Sequence, residues 1–66
     1  MTLGALINIC TDIRDDTVIM IYDSAEDFDI SSCNWRSCRA GSIKKCEINI
    51  NRLKFISDNI VAVAIA

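Results

Sequence analysis

Apolar residues near the start of the chain recur at the spacing of one helix face. The residues at this spacing are Leu3, Leu6, Ile7 and Cys10. Thr2 precedes them, and its hydroxyl can cap the first turn of a helix. We therefore predict a short helix over Met1–Cys10. It must pack on another element, because an isolated helix of this length is marginal in water.

The first strand is indicated by a continuous apolar run. Thr11–Asp16 is polar and is predicted to be a loop, and it leads into the apolar segment Thr17–Tyr22. A strand that is apolar on both faces is predicted to lie in the centre of a sheet or to be covered on both sides. The acidic segment Asp23–Asp29 follows and is predicted to be a solvated connection.

A second extended segment is predicted over Ile43–Phe55. Apolar and polar residues alternate in its first half, at Cys46, Ile48 and Ile50, which is typical of a half-buried strand. The alternation then shifts by one position, so that the next apolar residues are Leu53 and Phe55. We predict a bulge or tight turn near Asn51–Arg52, because a shift of one residue moves side chains to the other face.

The last segment, Ile60–Ala66, is predicted to be a strand with two different faces, preceded by a hairpin turn at Ser57–Asn59. Bulky residues alternate with alanines along it. The bulky residues are Val61, Val63 and Ile65, and the alanines are Ala62, Ala64 and Ala66. We expect the bulky face to lie in the core and the alanine face to let another backbone or a helix approach closely.

The segment Ser31–Gly41 has no apolar period that decides its structure, and it is predicted to be either a short helix ending at Gly41 or a loop. Taken together, the patterns predict a single domain over residues 1–66 with an α+β fold. A short N-terminal helix packs on a mainly antiparallel sheet of three or four strands that ends in a C-terminal hairpin.

Composition narrows the functions that this fold can carry. Of the 66 residues 52% are hydrophobic, and there is no histidine. The commonest general base is therefore missing, and we expect no enzymatic activity and no cofactor. Met1–Cys10 lacks the basic start of a secretory signal, and Ile60–Ala66 is far shorter than the roughly 20 residues of a membrane helix. We therefore expect a soluble, cytoplasmic protein.

Four cysteines are candidates for metal binding or redox chemistry, namely Cys10, Cys33, Cys38 and Cys46. Only Cys33 and Cys38 are close in sequence, whereas structural zinc sites usually contain pairs of closely spaced cysteines. Free thiols in a reducing cytosol are the favoured interpretation. A zinc site and a disulfide remain alternatives, and we predict no metal.

Charge is segregated along the chain. Residues 1–30 hold seven acidic residues and one basic residue, a net charge of −6. Residues 31–66 hold six basic residues and two acidic ones, a net charge of +4. Such asymmetry arises when the two halves fold against each other, or when opposite patches steer a partner.

Two candidate partner-binding patches follow from this charge pattern. The first is an acidic arc whose members are Asp23, Glu26, Asp27 and Asp29. The second surrounds Trp35, which is flanked by Arg36 and Arg39. An aromatic residue beside arginines is typical of protein–protein hot spots and of nucleic-acid platforms. Trp35 could equally fill the core of a small domain.

Three functional hypotheses result. The leading one is a protein-interaction module whose acidic arc faces a basic, nucleic-acid-binding surface of a protein target. The second is a nucleic-acid-binding regulator that uses Trp35, the two arginines, Lys44 and Lys45; it is less favoured because the sequence pI is about 4.7. The third is a homodimer in which Ile60–Ala66 pairs across the dimer axis.

The opening MTLGALINIC and the segment DDTVIMIYD resemble a group of short cytosolic proteins from phages and mobile elements of Gram-positive bacteria. These proteins often begin with a Met-Thr-hydrophobic helix, continue with a strand of this type and end in antiparallel strands. The resemblance covers about the first third of the chain and specifies architecture rather than activity. Most such proteins have no known function, but some small acidic phage proteins, anti-CRISPR proteins among them, inhibit host defence by occupying a surface of their target, and we expect a role of this kind here.

Overall fold

The chain folds into a four-stranded sheet with a short helix packed on each face. A computed structural model describes all residues from Met1 to Ala66. The elements in chain order are α1 Leu3–Ile9, β1 Val18–Tyr22, α2 Ala25–Asp29, β2 Trp35–Arg39, a 3₁₀ turn Ala40–Ser42, β3 Ile50–Ser57 and β4 Ile60–Ile65. This arrangement confirms the predicted α+β fold, its mainly antiparallel sheet and its C-terminal hairpin.

The strand order in the sheet is β2-β1-β4-β3. The two inner strands, β1 and β4, pair in parallel, and each of them pairs antiparallel with an edge strand. The prediction that β1 is central is therefore confirmed. The expectation that Ile60–Ala66 pairs across a dimer axis is wrong, because both edges of β4 are already occupied by strands of the same chain.

Helix α1 begins and packs as its sequence predicts. The Thr2 hydroxyl accepts a hydrogen bond from the amide of Ala5 at 3.1 Å, which caps the first turn. Leu3, Leu6 and Ile7 are buried against the sheet. Neither helix of the fold is long enough and apolar enough to cross a membrane.

The two faces of β4 pack as different surfaces. Val61 and Val63 lie in the main core beneath α1. On the opposite face, Ala62 and Ala64 form a second cluster with Tyr22, and Phe28 of α2 packs against it. The rings of Tyr22 and Phe28 meet edge to face, with their centroids 5.6 Å apart. The prediction that the alanine face admits a helix is confirmed.

Two segments differ from their predictions. The acidic connection Asp23–Asp29 contains α2, which Ser24 caps by accepting a hydrogen bond from the amide of Asp27. The segment Ser31–Gly41 contains strand β2, so neither the helix nor the loop is correct. Strand β2 is stabilised by backbone pairing with β1 rather than by burial, which explains why its sequence carries no apolar period.

The segment Ile43–Phe55 is a regular strand only from Ile50 onwards. Residues 43–49 are irregular apart from one isolated bridge at Asn49, and backbone bonds to α1 hold them in place. The predicted bulge is confirmed, because the β3–β4 register shifts between Ile50 and Arg52. The hairpin turn at Ser57–Asn59 is also confirmed, since β3 ends at Ser57 and β4 begins at Ile60.

Candidate interaction surface

Part of the acidic arc, Asp23 and Asp27, lies next to Trp35 and Arg36 at one end of the sheet. Tyr22 pairs with Trp35 and Ile21 pairs with Arg36, so β2 begins where β1 ends. Asp23, which directly follows β1, therefore lies beside Arg36. Together with residues of α2 and the loop before β2 they line one shallow depression, whose members are Asp23, Asp27, Cys33, Asn34, Trp35 and Arg36. We call this the Trp35 surface.

Trp35 is 44% exposed, so the alternative that it fills the core is wrong. It occupies the first position of an edge strand, opposite Tyr22, where the sheet ends and no further element covers it. A large aromatic side chain that is half exposed at a sheet edge can bury a substantial area when a partner binds. Position in the fold, rather than the sequence, makes this residue available.

The ion pair of this surface is exposed and weak. Arg36 Nη1 lies 3.8 Å from Asp23 Oδ1, and the two side chains are 62% and 69% exposed. Exposed pairs of this kind contribute about 0–1 kcal/mol to stability, because water screens them. A partner that offers better-placed charges can therefore separate this pair at little cost.

The remaining carboxylates of the acidic arc have different environments. Asp29 Oδ1 accepts a hydrogen bond from Arg52 Nε at 3.3 Å, and Asp27 Oδ2 accepts one from the Ser24 hydroxyl at 3.1 Å. Glu26 is exposed and forms no salt bridge. The arc thus keeps Glu26 and Asp27 as carboxylates without a basic partner, and it is less strongly charged than its sequence indicates.

The charge segregation along the chain is partly compensated by folding. Three of the four salt bridges join an acidic residue of the first 30 to a basic residue of the second half. These pairs are Arg36 with Asp23, Lys44 with Asp15, and Arg52 with Asp29. The two halves therefore fold against each other, which was one of the two interpretations of the pattern.

The predicted basic residues do not form one platform. Arg39 is four residues from Trp35 along β2, a distance of about 13 Å in an extended strand. Its Nη1 donates a hydrogen bond to the backbone oxygen of Asp16 at 3.3 Å. Lys44 Nζ lies 2.7 Å from Asp15 Oδ1, near the end of the sheet away from Trp35.

All four cysteines carry free thiols, and only Cys33 is exposed. The others, Cys10, Cys38 and Cys46, are half-buried against the main core. No three Cys, Asp or Glu side chains converge in a group that could hold a metal ion.

A further exposed surface lies on β3 at the opposite edge of the sheet, and the sequence did not indicate it. Leu53, Phe55 and Ile56 are 44%, 47% and 48% exposed. The apolar–polar alternation over Ile43–Phe55 predicts a strand. Apolar residues of a strand are expected to face the core, so the pattern gave no sign that Leu53 and Phe55 are exposed. The basic residues Arg52 and Lys54 are the only sequence signal of an edge position, since edge strands often carry such charges.

No protein-family model, curated protein or solved structure matches this chain.

Proposed function

We propose that this chain is a non-enzymatic protein-interaction module that binds a protein partner through the Trp35 surface. The observation that carries the proposal is the half-exposed Trp35 beside the weak ion pair of Arg36 and Asp23. Tryptophan and arginine are the residue types most enriched among those that dominate binding energy in protein interfaces. The surrounding carboxylates supply a polar rim, which is the usual anatomy of such an interface.

The acidic residues of the Trp35 surface define the kind of partner. Asp27 has no basic partner within the chain and Asp23 is paired only weakly with Arg36, so both favour a basic surface on the target. The proposed target is a nucleic-acid-binding host protein in the cytoplasm, and a defence nuclease fits this description. The resemblance to phage and mobile-element proteins supports the same role, that of an inhibitor that occupies the target's nucleic-acid-binding surface.

The same geometry disfavours nucleic acid as the direct ligand. Asp23 lies 3.8 Å from Arg36, so a phosphate approaching the arginine would also meet a carboxylate. The net charge of −2 adds repulsion at longer range. Arg39 and Lys44, the other bases of that hypothesis, lie away from Trp35 and contact groups of the chain itself.

The proposal can be tested by binding to a purified RNA-guided nuclease from a Gram-positive bacterium, measured by biolayer interferometry. Trp35→Ala is expected to weaken binding about 30-fold, which corresponds to roughly 2 kcal/mol. Phe55→Ala is the matched control, because Phe55 is an equally exposed aromatic residue on the opposite edge. Equal affinities of Trp35→Ala and the unmodified protein would refute the role of Trp35.

The contribution of the acidic arc to binding is tested with a separate variant, in which its four carboxylates are replaced by amides. This variant carries Asp23→Asn, Glu26→Gln, Asp27→Asn and Asp29→Asn. It is expected to bind more weakly and with a smaller dependence on salt concentration, since salt screens charge attraction. Unchanged affinity together with unchanged salt dependence would contradict an acidic docking surface.

A gel-shift titration separates the second hypothesis from the first. No shift of single-stranded or double-stranded probes is expected at low salt and high micromolar protein. A shift that disappears with Trp35→Ala would instead establish a nucleic-acid-binding regulator.

A further inference from the structure

The outer edge of β3 carries backbone groups that have no partner in the chain. In the parallel pair of β1 and β4, the Val18 amide donates a hydrogen bond to the backbone oxygen of Asn59. Backbone groups alternate in direction along a strand, so the odd-numbered residues of β4 direct their N–H and C=O groups toward β1. Even-numbered residues of β4 therefore bond to β3, where they pair with Arg52 and Lys54. Leu53 lies between Arg52 and Lys54, and Phe55 follows Lys54. Both therefore direct their N–H and C=O groups away from the sheet.

This free edge has defined limits. At its start the Ile50 amide donates to the backbone oxygen of Met1, and Thr2 forms a bridge with Asn49, so the N-terminal residues already cover this part of the strand. At its end the chain turns after Ser57 into β4. The open part comprises residues 51–57. Within it the register with β4 is continuous from Arg52 to Phe55 and shifts again before Ser57, so the edge accommodates a short additional strand centred on Leu53 and Phe55.

The two faces of this edge differ in chemistry. On the α1 face, Leu53 and Phe55 pair with valines of β4 and remain about half exposed. Beside Leu53 lies a shallow, mainly apolar groove of about 230 Å³, bounded also by Met1 and Leu6. On the α2 face the edge presents Arg52 and Lys54, opposite the alanines of β4. Lys54 forms no salt bridge within the chain, whereas Arg52 is paired with Asp29.

These charges argue against a second copy of the chain as the occupant. Two β3 strands that paired antiparallel through Leu53 and Phe55 would place Lys54 directly opposite its own copy. A register with Leu53 opposite Leu53 would place Arg52 opposite Lys54. The remaining register, with Phe55 opposite Phe55, would place Lys54 opposite Ile56, where the ammonium group meets no carboxylate. Like charges directly opposite each other destabilise a strand pair, and lysine on an edge strand is a known protection against such pairing.

We propose that the β3 edge binds an extended peptide segment of a partner in which apolar residues alternate with acidic ones. The segment adds to the sheet as an antiparallel strand, because an antiparallel neighbour exchanges both backbone bonds with each outward-facing residue. Its apolar side chains lie with Leu53 and Phe55 and reach the groove beside α1. Its carboxylates lie with Arg52 and Lys54. This surface is independent of the Trp35 surface, since the two occupy opposite edges of the sheet.

The probe is a short fluorescein-labelled peptide in which valine alternates with glutamate, and binding is followed by fluorescence anisotropy. Lys54→Glu is expected to weaken binding by about fivefold, the size of a cross-strand charge effect. Lys45→Glu is the matched control, because Lys45 is also exposed and free of salt bridges but lies outside the sheet. It should leave the affinity for the peptide unchanged.

Backbone pairing is tested on the peptide, so that the fold of the protein is not affected. Methylation of the valine nitrogens is expected to abolish binding, because residues that share a face with Leu53 and Phe55 exchange backbone bonds with them. Methylation of the glutamate nitrogens should leave binding intact. Equal binding of both methylated peptides would overturn strand addition, and loss with the glutamate-methylated peptide alone would overturn the antiparallel arrangement.

Amide hydrogen exchange provides a direct readout at the edge. The Leu53 and Phe55 amides should exchange rapidly in the free protein and slow down when the peptide binds, whereas the Lys54 amide should be protected in both states. No peptide binding at high micromolar concentration would refute the proposal. Protection that instead rises with protein concentration alone would refute it in favour of a second copy.

Discussion

Gly4 lies at the closest approach between α1 and the irregular segment that precedes β3, and its replacement by alanine tests this packing. A Cβ atom at Gly4 would lie 2.6 Å from the Lys44 backbone oxygen and 2.7 Å from that of Cys46. Real Cβ atoms essentially never show contacts under 3.0 Å, so the helix or the segment would have to shift. The Gly4 amide donates to the Cys46 oxygen at 2.9 Å, and this hydrogen bond would be strained by the shift.

Two effects of opposite sign determine the result of Gly4→Ala. Alanine is favoured over glycine inside a helix by about 1 kcal/mol. Overpacking of a close contact costs roughly 1–3 kcal/mol, and a weakened backbone hydrogen bond costs about 0.5–1.5 kcal/mol more. The blocking atoms belong to the backbone and cannot rotate away, so the unfavourable effects should prevail. We expect a net destabilisation of about 1–3 kcal/mol.

Urea unfolding followed by circular dichroism measures this difference. A domain of this size has a stability of roughly 3–10 kcal/mol, so the loss should shift the midpoint clearly. Ala5→Gly is the control for helix propensity, because Ala5 is exposed on the same helix. It should cost about 0.5–1 kcal/mol. A Gly4→Ala protein as stable as the unmodified chain, or more stable, would show that α1 does not pack this closely.

Three further substitutions test other parts of the fold by the same unfolding measurement. Thr17→Val removes a buried hydroxyl that accepts a hydrogen bond from the Arg14 amide and donates one to Asn59 Oδ1, and it should lower the free energy of unfolding by about 1–3 kcal/mol. Its control, Thr11→Val at an exposed site, should change the stability little. Ser24→Ala removes the cap of α2 and should cost about 1 kcal/mol. Ala64→Leu should destabilise by about 1–3 kcal/mol, because the larger side chain displaces Phe28; an unchanged stability would contradict close packing of α2.

The elements that the sequence predicted correctly are those whose apolar pattern is dictated by burial. Helix α1 and strand β4 each place bulky residues at regular intervals, since one face of each meets the main core. Strand β1 is apolar throughout because helices pack over both of its faces. The shift of alternation before Leu53 indicated a bulge, which the register of β3 and β4 contains.

The elements that the sequence did not predict, α2 and β2, are stabilised in other ways. Helix α2 has only five residues, and Phe28 is its one large apolar side chain, too few to establish a period. Strand β2 is almost entirely exposed, and it is extended because β1 offers it a row of backbone partners. Such pairing depends on residues distant in sequence, so no local pattern reports it.

For the candidate surfaces, the amino-acid sequence supplies the side chains: one tryptophan, a group of carboxylates and two bases on β3. Their exposure and their neighbours follow from the fold. The pairing of β1 with β2 brought Asp23 to Arg36 and left Trp35 half exposed, while folding paired three acidic residues of the first half with bases of the second. The placement of β4 in the centre closed its edges and left those of β2 and β3 open. This division arises because exposure and backbone pairing depend on neighbours in space, whereas residue type and periodicity are properties of the chain.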